Sequence, residues 1–550
     1  MHILEQIQNS FASFIKTKFN LPQATQLSIN LELNIDRPRA QFGDLNSNIA
    51  MLLAKQLRQN PQAIAQLIIT EYQAPAEIEK IEFAAPGFIN ITLKKSIFVK
   101  LLSELVEFKA SFFKPSHLKS QKYSIEFVSA NPTGPMHLGH GRGAIMGDVL
   151  GNILKFNGHQ VTKEFYINDA GNQINKLGLS LKIRCQQILG LNIELPEEAY
   201  HGEYLRELAQ SCIADYGPTV IEKEASFFAH YGKEKLLDAI KHTLRDYGVE
   251  FDVWFSEKSL HESQAITQVL AQLKQADYTY EKDQAVWFKS TEFGDDKDRV
   301  VRKSNGELTY IAPDIAYLKN KVERGAEHLV IILGQDHHSY TTRLQGLKQA
   351  LGLNQIPLDI IIYQLVSMQA SGEAVRMSKR AGNIVTLLGV IETVGKDVAR
   401  FFYLNRKADS QLEFNLDLAL TKTEENPVYY IQYALVRIRS ILRKAQNLIP
   451  EIKFDLNSAE YISEPEYLVL KKITALKDIL AAIEHTQHTH LLAYYSLELA
   501  RVFHAYYGQH KVLDPEQLEL SGARLLVLEQ LERTLELTLK LMGLDTPESM

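Results

Sequence analysis

Two histidines three residues apart, His137 and His140, flank Gly139 in the stretch SIEFVSANPTGPMHLGHGRGAIMGD (124–148). A strand-like run ends near Ser129, a loop rich in proline and glycine follows, and a helical pattern starts near His137. Free N–H groups and the positive dipole end of such a helix favour an anion held above the loop. Gly139, Gly141 and Gly143 remove side chains that would keep a ligand off the backbone. Both imidazoles can donate to phosphate oxygens or to charge that develops at phosphorus. A second segment, RMSKRAGN (376–383), carries Lys379 in a glycine-containing loop. An ammonium there can neutralise a leaving pyrophosphate.

Each segment has plainer readings. Gly139-His-Gly141-Arg-Gly-Ala144 fits a dinucleotide fingerprint, with Glu164 as the ribose acid. The loop from Ala130 to Leu138 is too long for the tight turn which that pattern requires. A glycine-rich helix packed close on a sheet, with surface histidines, is the structural alternative. Alone, RMSKRAGN fits a solvated basic loop.

The elements that must position these residues follow from periodicity. From about 120 to 385 the pattern repeats strand, turn, helix, an α/β layout. HLVIIL (328–333) and LDIIIY (358–363) suit buried parallel strands. A helical insertion is expected over about 172–285, with helices at 203–215 and 233–247. Residues 1–112 read as a separate α/β domain. Its first helix carries Ile3, Ile7, Phe11 and Phe14 on one face, 45–58 reads as helix, and 80–93 as paired strands about Pro86-Gly87. A polar linker covers about 113–122 and a connecting segment 386–425. Beyond about 386 strand signals fade, and from 426 to 550 helices at 428–447, 465–485, 490–507 and 521–543 form a bundle.

The 550 residues exceed what one core serves, so three or four domains are expected. Forty-five per cent apolar and 23% charged residues exclude collagen, wholesale disorder and a disulfide scaffold. The only two cysteines, Cys185 and Cys212, suggest a reducing compartment and cannot build an all-cysteine zinc site. His337 and His338 beside Asp336 are adjacent on one segment, which argues against a shared metal. No long uncharged apolar run or cationic leader is present, so a cytoplasmic protein without membrane segments is expected. A net charge of -6 speaks weakly against nucleic acid as a partner.

HLGH and MSKR at the two ends of an α/β domain resemble the paired signatures, written HIGH and KMSKS, of class I aminoacyl-tRNA synthetases. The likeness extends through SANPTGPMHLGH, YHGEY (200–204), FDVWFSE (251–257), GELTYIAPDIAY (306–317), GQDHHSY (334–340), RMSKRAGN, ARFFYLNRKADSQLEFNLDLA (399–419) and ENPVYYIQYA (425–434). In this order they resemble the bacterial-type arginyl-tRNA synthetases. The resemblance implies a Rossmann-like catalytic domain with a helical insertion, an N-terminal additional domain and an all-α anticodon-binding bundle. It implies a ligase that activates L-arginine with ATP and Mg2+, without zinc, and transfers arginine to the 3' end of tRNA(Arg). It also implies a monomer, with activation that requires tRNA.

Residue by residue, the resemblance assigns catalysis to His137, His140 and Lys379. ATP falls to His137, Gly139, His140, Gly143, Met377, Ser378 and Lys379. Arginine falls to Ser129, Ala130, Asn131, His140, Tyr310, Asp314 and Gln335. The residue chemistry agrees, because a planar guanidinium with five donors needs a carboxylate and further fixed acceptors. Tyr310 and Asp314, four apart, share a face if TYIAPD is helical. Glu126 is either an acidic partner for the substrate or an ion-paired strand residue. Arg376 and Arg380 depart from the usual signature. For tRNA the candidates are Asn90 in PGFIN and Tyr429, Tyr433 and Arg437 in the bundle, where Arg437, Arg439, Arg443 and Lys444 cluster beside aromatic residues. Charge does not mark that region, since 427–550 holds thirteen basic against sixteen acidic residues.

Overall fold

The computed structural model describes residues 2–22, 29–35, 42–116, 119–337, 340–374, 385–449 and 452–550. Helix Ile3–Lys18 buries Ile3, Ile7, Phe11 and Ile15. Phe14, expected on that face, sits half-buried at its edge with its ring 5.2 Å from Tyr72. Four steps bring a helix of 3.6 residues per turn nearer the same face than three do. A four-stranded antiparallel sheet follows, in the order Glu32–Leu33, Leu45–Ser47, Phe88–Leu93, Ile78–Ala84. The helix expected over 45–58 begins only at Ile49. Leu45 and Ser47 face the core together and pair with the Phe88–Leu93 strand, a period of two too brief to read in sequence.

Five parallel strands build the central sheet, in the order Leu358–Tyr363, His328–Gly334, Lys122–Glu126, Gln160–Ile167, Val253–Ser256. HLVIIL and LDIIIY lie side by side, from Leu329 opposite Leu358 to Gly334 opposite Tyr363. The first of these strands in the chain lies in the middle. Strand order therefore reverses between Lys122–Glu126 and His328–Gly334, and a crevice opens at their carboxyl ends. Helix Leu138–Asn157, here the signature helix, starts at that crevice. It lies close on the sheet because it lacks side chains where it touches. A Cβ at Gly147 would stand 2.2 Å from the Phe127 ring, and one at Gly151 2.5 Å from Lys163.

The insertion contains helices Asn172–Ile188, Glu203–Tyr216 and Ala225–Asp246, packed around Leu177, Leu181, Phe228 and the two buried free cysteines. Strand Val253–Ser256 falls inside the stretch expected as insertion, yet it forms the edge of the central sheet. Four half-buried residues at a sheet edge leave little pattern to read. A small antiparallel sheet of Thr279–Lys282, Ala285–Phe288 and Arg299–Arg302 follows. Beyond 386 one strand does occur: Leu412–Asn415 pairs in parallel with Val366–Ala370.

The C-terminal bundle comprises Pro427–Leu448, Glu464–Thr474, Leu476–Thr486, His490–Gln509 and Leu518–Met542. The helix expected over 465–485 is two helices that meet at Ala475. No helix among the described residues is long and apolar enough to cross a membrane.

Candidate active site

A cleft of about 1000 Å³ opens at the carboxyl ends of the central strands. The turn after strand Lys122–Glu126 forms one wall. Val128 and Ser129 both adopt left-handed backbone there (φ +68° and +42°), which costs a non-glycine residue of order 1 kcal/mol or more. The turn aims Ser129 Oγ so that it accepts from the Tyr166 N–H (3.1 Å) and donates to Glu126 Oε1 (3.2 Å). Such strain persists only where the surroundings hold it, here through the bonds of Ser129 Oγ.

Ser129, Ala130, Asn131, His140, Tyr310, Asp314 and Gln335 all line this single cleft, although they come from four separate segments. Tyr310 and Asp314 do share the first turn of a helix, Ile311–Glu323, with Tyr310 as its N-cap. Tyr310 is 69% exposed at the mouth, while Asp314 Oδ2 is buried and has no hydrogen-bond partner among the described residues. Burial first, then the charges of Glu126 and Glu257, push the Asp314 carboxyl well above the usual carboxylate range, against opposing pulls from Arg343 and Lys321.

Glu126 is the ion-paired strand residue of its second reading, its Oε2 paired with the buried Lys321 ammonium, and it also lies on the cleft. Glu257 was not foreseen. It stands at the end of FDVWFSE, lines the cleft, and accepts from the Tyr166 hydroxyl (2.8 Å). Burial raises its carboxyl too. The resemblance of FDVWFSE to the family is the signal in the sequence that points to it. Arg343 also reaches the cleft; its buried Nε has no hydrogen-bond partner among the described residues but lies 3.9 Å from Asp295 Oδ2. With Lys321 engaged by Glu126 and Arg343 beside Asp295, the buried Asp314 and Glu257 carboxyls make this end suit a cationic ligand.

The opposite wall is the start of the signature helix. His137 caps it, its ring accepting from the Gly139 N–H (3.1 Å), while the His137 N–H donates to His140 Nδ1 (3.1 Å). The two rings stack with centroids 3.7 Å apart. His137, Gly139 and His140 line the cleft; Gly143 does not. Gly143 is buried against Tyr363, whose ring a Cβ would meet at 2.8 Å, so its role is close packing. Glu164, the acid of the dinucleotide reading, is buried away from the cleft among Ser124 (2.6 Å), Tyr317 (2.7 Å) and Arg324 (2.6 Å).

Met377, Ser378 and Lys379 lie outside the described residues, as do Arg376, Arg380 and His338. Just beyond them, the Leu138 N–H donates to the Val385 carbonyl (2.9 Å) and the Leu387 N–H to that of Met136 (2.9 Å). Among the described residues no group of three or more His, Cys, Asp or Glu is arranged to hold a metal ion.

The tRNA candidates lie elsewhere. Asn90 is half-buried on strand Phe88–Leu93, opposite Glu82 and Asn46. Tyr433 is 43% exposed and stacks on His504, Tyr429 is half-buried beside it, and Arg437 donates to the Tyr507 hydroxyl (3.0 Å). Two neighbours in the basic cluster are engaged within the protein. Arg439 pairs with Glu532 (2.8 Å) and Glu548 (2.9 Å), and Arg443 with Glu548 (3.3 Å). Tyr495 and Tyr506 are core residues, donating to the Lys472 carbonyl and to Glu466 respectively.

A parallel sheet with a histidine pair at its switch-point helix, joined to a C-terminal helical bundle, is the architecture of a class I aminoacyl-tRNA synthetase. Residues 102–410 match the family described as tRNA synthetases class I (R), catalytic domain. Residues 3–93 match the arginyl tRNA synthetase N terminal domain, and 431–550 the DALR anticodon binding domain. The chain is 40% identical over 555 residues to the arginine–tRNA ligase of Geobacter sp. (strain M21), which covers 100% of this chain and 99% of that one. It is 39% identical over 558 residues to the arginine–tRNA ligase of Bacillus subtilis (strain 168), covering both in full. The Thermus thermophilus arginyl-tRNA synthetase structure shares its fold over 100% of each chain, with a TM-score of 0.75 at 20% identity. The chain belongs to the arginyl-tRNA synthetase family.

Proposed function

We propose that this protein is an arginine–tRNA ligase, and that the cleft holds arginine at its acidic end and ATP at the histidine end. The single observation that carries this reading is Asp314 Oδ2, a buried carboxylate oxygen without a partner among the described residues, in the same cleft as the helix start at His137. A guanidinium supplies the missing donors, with Glu257 and Tyr310 completing the plane. A lysine substrate offers a point charge and leaves acceptors unpaired, which penalises it.

At the other end the arginine carboxylate attacks the α-phosphorus of ATP in line, the bond to the pyrophosphate oxygen breaks, and arginyl-adenylate remains. No covalent bond to the enzyme forms. Ser129 and Asn131 orient the amino acid's main-chain groups, while His137, His140 and the helix terminus receive charge that builds on the α-phosphate. Lys379 with Mg2+, which enters with ATP, serves the leaving pyrophosphate. A terminal ribose hydroxyl of tRNA(Arg) then attacks the arginyl carbonyl and AMP departs. The bundle holds the anticodon through Tyr429, Tyr433 and Arg437, and Asn90 touches the tRNA elsewhere. We assign the protein to the cytoplasm as a zinc-free monomer; the free thiols of Cys185 and Cys212 support a reducing compartment.

ATP–pyrophosphate exchange with each amino acid, with and without tRNA, tests the reading. Exchange with arginine alone, and only when tRNA is added, is expected. Exchange with no amino acid would sink it.

A further inference from the structure

Arg142 lies two residues beyond His140 on the signature helix, and its side chain is 0% exposed. One Nη donates to the Gln364 carbonyl (2.9 Å), the other to the Lys407 carbonyl (2.6 Å). Its buried Nε has no partner among the described residues, and no carboxylate there pairs with it. Burial lowers its pKa to about 10. Burying a cation on two carbonyls without an ion pair is costly, although Tyr363 and Asp409 offset part of the cost, and an apolar side chain would fill the same space without it. Packing alone does not call for arginine here.

The planar fork does something an apolar side chain cannot. It holds two backbone segments at fixed distance from the signature helix. Gln364 follows the sheet strand Leu358–Tyr363, and Lys407 follows helix Lys396–Leu404; the two segments are joined by the Gln364 N–H to the Ala408 carbonyl (2.9 Å). Gln364, Leu365 and Val366 line the same cleft as His137, Leu138, Gly139 and His140, from a different segment of the chain. The helix that carries Asp314 makes no bond to Arg142.

We propose that Arg142 is a positioning residue for adenylate formation, setting the spacing between the histidine wall and the Gln364–Val366 wall at the nucleotide end of the cleft. The inference rests on the reading of that end as the ATP site.

Pyrophosphate exchange on the full chain, with tRNA present and ATP and arginine varied separately, provides the test. Lysine reaches one carbonyl and methionine neither, so Arg142→Lys is expected to raise KM for ATP about threefold to tenfold and Arg142→Met more, while KM for arginine stays within about twofold. Equal rises in both KM values, or an unchanged KM for ATP, in an Arg142→Lys protein with a near-native unfolding midpoint overturns the proposal. So does failure of Arg142→Lys to fold, because the two-carbonyl fork would then serve stability alone. If only Arg142→Met fails to fold, Arg142→Lys decides. His140→Ala is the control for the underlying reading. If it leaves KM for ATP unchanged, the ATP assignment itself falls; if it shifts KM and Arg142→Lys does not, only the positioning role falls.

Discussion

Asp314 is a residue whose environment in the empty cleft opposes its ionisation. Burial, with Glu126 and Glu257 nearby, holds its proton to higher pH than in the unfolded chain. Between the ordinary carboxylate pKa of about 3.9 and that raised value, the folded protein binds more protons than the unfolded one, so stability declines as pH rises through the window. Arginine prefers the ionised carboxylate. Its affinity should therefore strengthen across the same window, and its binding should release a proton, which calorimetry in buffers of different ionisation heat detects. Asp314→Asn should abolish that release and weaken arginine binding by about two orders of magnitude, the usual scale for removing one side of a buried hydrogen-bonded charge pair. The same substitution should leave the empty protein as stable or more so at neutral pH, measured by urea denaturation. The spacing of TYIAPD made the shared helix face of Tyr310 and Asp314 legible, while a role for Asp314 toward arginine came only from the family resemblance. Glu257 was less legible: it ends a short edge strand, and nothing in its spacing points to a cleft built from segments more than a hundred residues apart.

At the scale of elements, the signature helix shows what a pattern reveals and hides. Its start near His137 was readable from the loop and the glycines. The reasons for those glycines were not, because they depend on what the helix meets. Gly147 faces the buried Phe127 ring, and Gly143 faces Tyr363 where a ligand contact was expected. Gly147→Ala should cost about 1–3 kcal/mol of stability by overpacking, with the ring unable to withdraw; a loss under 0.5 kcal/mol in urea denaturation counts against this packing account. Short elements escaped for a different reason. Val253–Ser256 and Leu412–Asn415 are four residues each, too brief for periodicity, and their pairing is long-range. HLVIIL and LDIIIY were readable because each carries an unbroken apolar run, and residues 329–332 are buried in the sheet.

Across the whole molecule, Arg400 joins parts far apart in the chain. Fully buried, it is ion-paired with Asp148 of the signature helix and donates to the carbonyls of Tyr247 (2.8 Å), Gly248 (3.0 Å) and Met542 (2.9 Å). The catalytic domain, the end of the insertion and the last helix of the bundle thus meet at one guanidinium. Burial pushes the Asp148 carboxyl up, but Arg400 and Lys163 outweigh it and hold it below the usual range. The stability it contributes is present above the ordinary carboxylate pKa and is lost as pH falls through the lowered one. Arg400→Met leaves Asp148 to Lys163 alone and takes the donor from three carbonyls, and should destabilise the protein by about 3–5 kcal/mol in urea denaturation. RNA binding is set at the same scale. Residues 427–550 hold thirteen basic against sixteen acidic residues, and Arg439 and Arg443 are engaged by glutamates, so part of the bundle's positive charge is already spent within the protein. Stacking must then carry more of the contact than charge. The exposed Tyr433 ring on His504 is the natural platform. Tyr433→Ala should weaken tRNA(Arg) binding by about 1–3 kcal/mol, the worth of one stacked base, with arginine binding unchanged. Because the loss is not ionic, it should persist at the same size as salt is raised, whereas Arg437→Ala should lose less as salt increases. Filter binding at two ionic strengths separates the two, and a Tyr433→Ala defect that vanishes in high salt would show that charge governs this surface.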